Sequence, residues 1–205
     1  DPERIQLVGN IMAESVLRNL DRARARAASA RFGLAPGEYL LVTVHRPENT
    51  DHPERLRAIA AALAESPLPV LLPAHPRTRP LLEAAGLRDD LQVRVVDPVG
   101  YLDMVSLQSD AAAVVTDSGG VQEESCMLGT PCVTVRRNTE RAVTISAGAN
   151  RLVRAERDAV LSGIAEALSS PRGWEPPARW DEGVSGRIVD ALEAGIVPLE
   201  GYREA

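Results

Sequence analysis

The chain has 205 residues, of which 44% are apolar and only 3% aromatic, so it can bury a core of Val, Leu, Ile and Ala. Its formal net charge is −6 and every basic residue is arginine, which excludes general nucleic-acid binding and makes any anion site local. There is no signal-peptide pattern and no apolar run of about 20 residues, so the sequence reads as a soluble, cytoplasmic protein with no membrane contact.

Taken in chain order, Ile5–Val8 reads as a short junction strand and Gly9-Asn10 as a break. A long Ala/Arg helix is predicted from Met12 to Arg31, with Leu17, Leu20 and Ala27 on its buried stripe. Short, nearly continuous apolar runs follow at Tyr39–Val44, Val70–Ala74, Val93–Val96, Ala112–Thr116, Cys132–Val135 and Arg151–Val153. Runs of that kind fit parallel strands buried on both faces. Helices are predicted between them at Pro53–Glu65, Arg79–Ala85, Tyr101–Leu107, Gly120–Leu128, Glu140–Ala147 and Arg157–Ser169. The alternation implies right-handed βαβ units and an α/β fold with a doubly wound, Rossmann-like parallel sheet. Pro171–Pro177 reads as a linker, Ser185–Ala194 as a last helix, and the remainder as a short tail. The division is therefore 1–10 junction, 11–170 Rossmann-like domain and 171–205 linker with a crossover helix.

In an open α/β sheet the ligand lies at the carboxyl ends of the strands, and the polar residues collect there. His45-Arg46, His75-Pro76-Arg77, Asp97-Pro98, Asp117-Ser118 and Arg136–Arg141 each follow a predicted strand. The most informative stretch is Thr-Asp-Ser-Gly-Gly-Val-Gln-Glu-Glu at 116–124, a strand running through a glycine turn into a helix. The first amides of a helix lack internal partners and carry partial positive charge, which makes such a junction an anion site. Ser118 is expected to cap the helix and to offer its hydroxyl to a ligand. Gly119 and Gly120 allow amides to approach a phosphate, and Glu124 can accept from ribose hydroxyls. The competing reading of this segment alone is an ordinary βα turn with an exposed Glu-Glu face.

His45 can donate to a phosphate oxygen or merely cap the following loop. His52 is expected in solvent. Arg141 can clamp a diphosphate, with Glu140 holding it in place, or form a surface ion pair of little consequence. Cys126 and Cys132 lack a zinc spacing and read as small reduced core residues; neither a metal nor a cofactor is indicated.

These segments together resemble the carboxyl-terminal half of the non-hydrolysing UDP-N-acetylglucosamine 2-epimerases. The matching pieces are Val8-Gly9-Asn10, Thr43–Arg46 with Glu48-Asn49, His75–Thr78, Asp97-Pro98 with Tyr101-Leu102, Thr116–Glu124, Gly129–Pro131, Asn138–Arg141, Ala147-Gly148, Asn150–Val153 and Gly183–Ile188. The resemblance implies half of a two-domain GT-B-type fold and UDP contacts from His45, Ser118, Gly119, Gly120, Glu124 and Arg141. Of these, His45 is the expected catalytic residue. The base is expected near Val99 and Met104, and a regulatory role falls to His75. The implied reaction interconverts UDP-GlcNAc and UDP-ManNAc by elimination and re-addition of UDP, as part of cell-surface polysaccharide biosynthesis. The acid-base carboxylates are expected in an amino-terminal domain outside this sequence, or in a partner chain, so that this chain alone is inactive. The intact protein is expected to be a homodimer. Two departures stand out: Ala142-Val143 where the family usually has Pro-Glu, and Val99 where it has Gln or Thr. Two alternatives stay open, the nucleotide-sugar half of a GT-B glycosyltransferase and a non-catalytic nucleotide-binding module.

Overall fold

The structure, a computed structural model, describes residues 5–195 apart from Arg88, Leu91 and Pro171. The expected tail and the first residues of the junction segment lie outside the described residues. Helix α1 (Ile11–Arg24) leads through a 3-10 turn (Ala28–Phe32) into β1 (Leu40–Thr43), then short α2 (Pro47–Thr50) and α3 (Pro53–Ala64). The alternation continues through β2 (Val70–Pro73), α4 (Arg79–Ala84), β3 (Val93–Val96), α5 (Tyr101–Asp110), β4 (Ala113–Thr116) and α6 (Gly119–Leu128). It ends with β5 (Cys132–Val135), α7 (Ala142–Ser146), β6 (Asn150–Val153), α8 (Arg157–Ser169) and α9 (Val184–Gly195).

Among the described residues six parallel strands form one sheet in the order β3-β2-β1-β4-β5-β6. This is the doubly wound Rossmann order, whose topological switch point lies between β1 and β4. The pleat sends alternate side chains to opposite faces. Leu40, Val42, Val70, Leu72, Ala113 and Val115 join the core under α3 and α8, whereas Leu41, Leu71 and Val114 join Tyr39, Leu107 and Ala111 on the other face. Both faces of β1, β2, β4 and β5 are covered, which is why these strands read as nearly unbroken apolar runs, whereas the edge strands β3 and β6 carry Arg94 and Asn150-Arg151. Cys126 and Cys132 are free and buried, and burial pushes their thiols up to about 11 and about 12.

Two elements differ from the sequence reading. Ile5–Val8 pairs with no strand among the described residues. Its carbonyls are taken instead by side chains, Leu7 O by Arg179 and Val8 O by Arg187 Nε at 2.7 Å. Gly9, at φ 107°, then passes so close to the Arg179 carbonyl that a Cβ would come within 2.2 Å of it. The long first helix stops at Arg24 rather than Arg31, and Ala27 adopts a left-handed conformation with φ 44°. Tertiary bonds override helix propensity here. Arg26 Nε donates to Asp103 Oδ1 at 2.7 Å, Ala28 N–H to Ser106 Oγ at 3.1 Å and Ser29 Oγ to Asp110 Oδ2 at 2.8 Å. The buried stripe of α1 is Ala13, Val16 and Ala23, not Leu17, Leu20 and Ala27. Small side chains let α1 pack closely onto α5 and α6. At the other end α9 is tied to α1, with Ser185 Oγ donating to Glu14 Oε1 at 2.6 Å.

Candidate functional site

The switch point is organised by paired hydroxyls and one buried carboxylate. Thr43 and Thr116 lie side by side in the β1–β4 register, their hydroxyls 2.6 Å apart. Thr116 Oγ1 accepts the Ser118 N–H at 2.9 Å, which bends the chain out of β4 into α6. Asp117, fully buried, turns its carboxylate under the loop after β1. It accepts the backbone N–H of His45 and of Arg46 at 3.1 and 3.0 Å, and Asn49 Nδ2 at 3.1 Å. Asn49 also donates to Val135 O at 3.0 Å, so three strand ends are tied together. His45 Nδ1 lies 3.2 Å from Asp117 Oδ1, with half of the imidazole exposed.

Above this platform α6 presents its amino terminus. Ser118 is its N-cap residue by backbone geometry, but its side chain makes no capping bond. The expected cap is not formed: no α6 amide donates to Ser118 Oγ, while the backbone of Ser118 is held by Thr116 and by Gln122 Nε2, which donates to Ser118 O at 3.1 Å. A Cβ on Gly119 would lie 3.8 Å from Arg46 Nη2 and 3.9 Å from Arg141 Nε, whereas one on Gly120 would meet nothing within 4 Å. Two guanidinium groups and the Glu140 carboxylate, whose Oε1 would lie 3.7 Å from the Gly119 Cβ, thus meet at the helix start beside an open glycine. The arginines and helix amides suit an anion with several oxygens, which would displace or reorient Glu140.

Arg141 is held differently from expectation. Its Nε faces Glu123 Oε1 at 2.6 Å, an ion pair without linear hydrogen-bond geometry. Glu140 instead binds Arg136 at 2.8 Å and lies 3.6 Å from Arg46. The expected helix start at Glu140 moves to Ala142, with Arg141 as the N-cap residue. Thr139 Oγ1 accepts the Arg141 N–H at 3.0 Å and itself donates to Gln122 Oε1 at 2.7 Å, which fastens the Arg141 loop to α6. Burial raises the pKa of Glu123 although Arg141 opposes it.

Glu124 lies one turn deeper in α6 and is nearly enclosed. Its Oε2 accepts Gln108 Nε2 at 2.6 Å, and burial raises its pKa. Val99, Met104 and Val121 of α6 each pack against the margin of the Leu107 core. His75 ends up apart, exposed after β2, its Nδ1 accepting the Arg77 N–H at 3.2 Å. His52 is exposed, 3.5 Å from Glu54. His45, Ser118, Gly119, Gly120, Glu124 and Arg141 are therefore brought to one edge, with Val99 and Met104 adjoining and His75 outlying.

Residues 1–193 match the family model described as UDP-N-acetylglucosamine 2-epimerase. The chain belongs to that family. A relative from Pseudomonas aeruginosa, UDP-2,3-diacetamido-2,3-dideoxy-D-glucuronate 2-epimerase, is 44% identical over 80% of this chain and 46% of its own length. The UDP-N-acetylglucosamine 2-epimerase of Methanocaldococcus jannaschii is 36% identical over 95% of this chain and 56% of its own. Its crystal structure in complex with UDP-GlcNAc and UDP superposes with a TM-score of 0.86 at 34% identity, again covering 95% of this chain and 56% of that one. The chain spans about half the length of the relatives it matches. No helix among the described residues is long and apolar enough to cross a membrane.

Four residues that organise this epimerase-family edge carry no role in the sequence reading: Asp117, Asn49, Glu123 and Gln108. Asp117, Asn49 and Glu123 stand inside the quoted motifs, so their positions are visible in the sequence and only their partners are not. Gln108 sits in an otherwise unremarked helix, and nothing in the local pattern marks a buried amide.

Proposed function

We propose that this chain is the UDP-binding half of a UDP-N-acetylglucosamine 2-epimerase, with residues 11–170 as the nucleotide-binding domain, 1–10 as the junction, and 171–205 as linker and crossover helix. The observation that carries this reading is the placement of the α6 amino terminus, Arg46 and Arg141 around Gly119 at the β1–β4 switch point, with the Glu140 carboxylate beside them. The family membership and the UDP named with the M. jannaschii structure support it.

In this reading the diphosphate sits on the amides of Gly119 and Gly120, with Ser118, Arg141 and His45 donating to it. Glu124 takes the ribose and the side chains of Val99 and Met104 flank the base. A base removes the C2 proton of the sugar. The C1–O bond then breaks with its electron pair leaving on UDP, and a C1=C2 glycal forms. UDP adds back at C1 as a proton is delivered to the opposite face of C2. Negative charge grows on the leaving diphosphate, so donors fixed around it lower the barrier to elimination. His45 is the catalytic residue of this half because it faces that leaving group. Proton transfer at C2 needs carboxylates, which are assigned to the half of the relatives that this chain does not cover. His75, set apart after β2, is assigned a regulatory contact, and the intact enzyme is assigned a homodimeric state and a cytoplasmic place in cell-surface polysaccharide biosynthesis.

Calorimetric titration with UDP tests the site. Saturable binding is expected, weakened about tenfold or more by Ser118→Ala and by Arg141→Ala; a folded chain with no UDP binding sinks the reading. Supplying an amino-terminal domain of the family in trans, with UDP-GlcNAc and UDP-2,3-diacetamido-2,3-dideoxy-D-glucuronate as substrates, then tests epimerisation and decides the sugar.

A further inference from the structure

Gln108 is fully buried in the last turn of α5. Burying a primary amide is costly unless each of its polar ends is satisfied, and an aliphatic side chain would fill the same space more cheaply. Here both ends are used. Nε2 donates to Glu124 Oε2 at 2.6 Å, and Oε1 accepts Ser125 Oγ at 3.2 Å. The Glu124 carboxylate, an acceptor only, decides which end of the amide faces it, and the Ser125 hydroxyl then holds the other end. The backbone is held as well, since Thr130 Oγ1 donates to Gln108 O at 2.8 Å and so ties α5 to the turn after α6. The result is a carboxylate with one oxygen saturated from behind. Its other oxygen, Oε1, takes no hydrogen bond among the described residues.

Glu124 stands five residues after Gly119, roughly 7 Å further along the helix axis. That offset matches a nucleotide whose diphosphate sits on the first amides and whose ribose lies alongside the next turn. We infer that Gln108 is a positioning residue, holding the Glu124 carboxylate so that its free oxygen accepts from the ribose hydroxyls of a bound UDP. This rests on the UDP site proposed above. The electrostatics agree with it. Burial raises the pKa of Glu124 and the neighbouring Glu123 acts in the same direction, while the Gln108 N–H opposes both by bonding the charged form. The phenol of Tyr101, whose pKa is raised by burial and further by the Glu124 charge, is a second titratable neighbour of this carboxylate among the described residues. A neutral amide favours the ionised carboxylate without cancelling the charge that the ribose hydroxyls seek.

The test is calorimetric titration of the full chain with UDP and with 2′-deoxy-UDP, for the wild type, Gln108→Met, Ser125→Ala, Glu124→Ala and the Gln108→Met/Glu124→Ala double variant. The wild type is expected to prefer UDP by about tenfold, the size of one charge-assisted hydrogen bond. Gln108→Met is expected to erase that preference with 2′-deoxy-UDP affinity unchanged, and to have no further effect once Glu124 is Ala. Ser125→Ala, which removes only the latch on the amide, is expected to reduce the preference part-way and serves if Gln108→Met fails to fold. In the ligand-free chain, 13C NMR titration is expected to show Glu124 releasing its proton at higher pH in Gln108→Met. Equal losses for both nucleotides, a retained preference in the variants, or an unmoved Glu124 titration overturns the inference alone. A wild type that binds both nucleotides equally removes the ribose role of Glu124, and one that binds neither removes the UDP reading; either takes the inference with it.

Discussion

Asp117 Oδ1 lies 3.2 Å from His45 Nδ1, and the same carboxylate accepts the backbone N–H of His45 and of Arg46. One fully buried group therefore orients both the imidazole and the loop that carries it. With Nδ1 directed at the carboxylate, Nε2 is the ring atom left for a ligand. Asp117→Asn places an amide where an acceptor is needed by several donors at once. It is expected to lower stability by about 3 kcal/mol in urea unfolding. A loss within about 0.5 kcal/mol would show that the carboxylate is not the organiser.

Gly120 separates folding from ligand binding. A Cβ there meets nothing within 4 Å in the protein, and alanine is a better helix former than glycine by about 1 kcal/mol. Gly120→Ala is expected to unfold at an equal or higher urea midpoint, yet to bind UDP at least about tenfold more weakly because the added methyl occupies the approach to the helix amides. Unchanged UDP affinity would move the phosphate away from this turn.

Gly163 on α8 gives the opposite contrast. A Cβ there would lie 2.9 Å from Val153 Cγ1 and 3.0 Å from Val133 Cγ1, both on the sheet that α8 covers. Gly163→Ala is expected to cost about 1–3 kcal/mol through overpacking. Gly186→Ala on α9, where a Cβ meets nothing within 4 Å, is expected to be neutral or stabilising by up to about 1 kcal/mol. Thermal melts of the two variants check the pair, and similar melting points would contradict close packing of α8.

Asp103 supplies a pH dependence of stability. Hydrogen bonds from Arg26 and Arg31 hold its pKa down at about 2. A depressed carboxylate stabilises the fold above its unfolded value of about 4, and that contribution is lost as pH falls toward 2. Urea midpoints measured from pH 5 down to pH 2 should fall for the wild type through this window. Asp103→Asn should be less stable at pH 5 and show a flatter profile. An equally steep profile in the variant would assign the acid sensitivity elsewhere.

Legibility in the sequence followed locality. The strands buried on both faces are readable because each is a short, nearly continuous apolar run, and the start of Cys132–Val135 needs no distant partner to be recognised. The family's motif residues were readable for the same reason. The end of the first helix is not legible locally, because it depends on Asp103, Ser106 and Asp110, which lie far along the chain. The type and place of Ser118 suit a cap, but in the fold no α6 amide donates to its hydroxyl, a matter of side-chain placement that the local sequence does not carry. Arg141 was given Glu140, its neighbour in sequence, whereas the turn presents Glu123 of α6 to it.

By itself, then, the sequence determined the alternation of strands and helices, the glycine turn after β4, and the set of polar residues at the strand ends, since each is a property of a few adjacent residues. Only the tertiary structure decided which of those residues meet. The switch between β1 and β4 sets Asp117 behind His45, and the packing of α5 on α6 sets Gln108 behind Glu124. Such pairings arise from chain crossings and close packing between segments distant in sequence, and they leave no periodicity in the chain to be read.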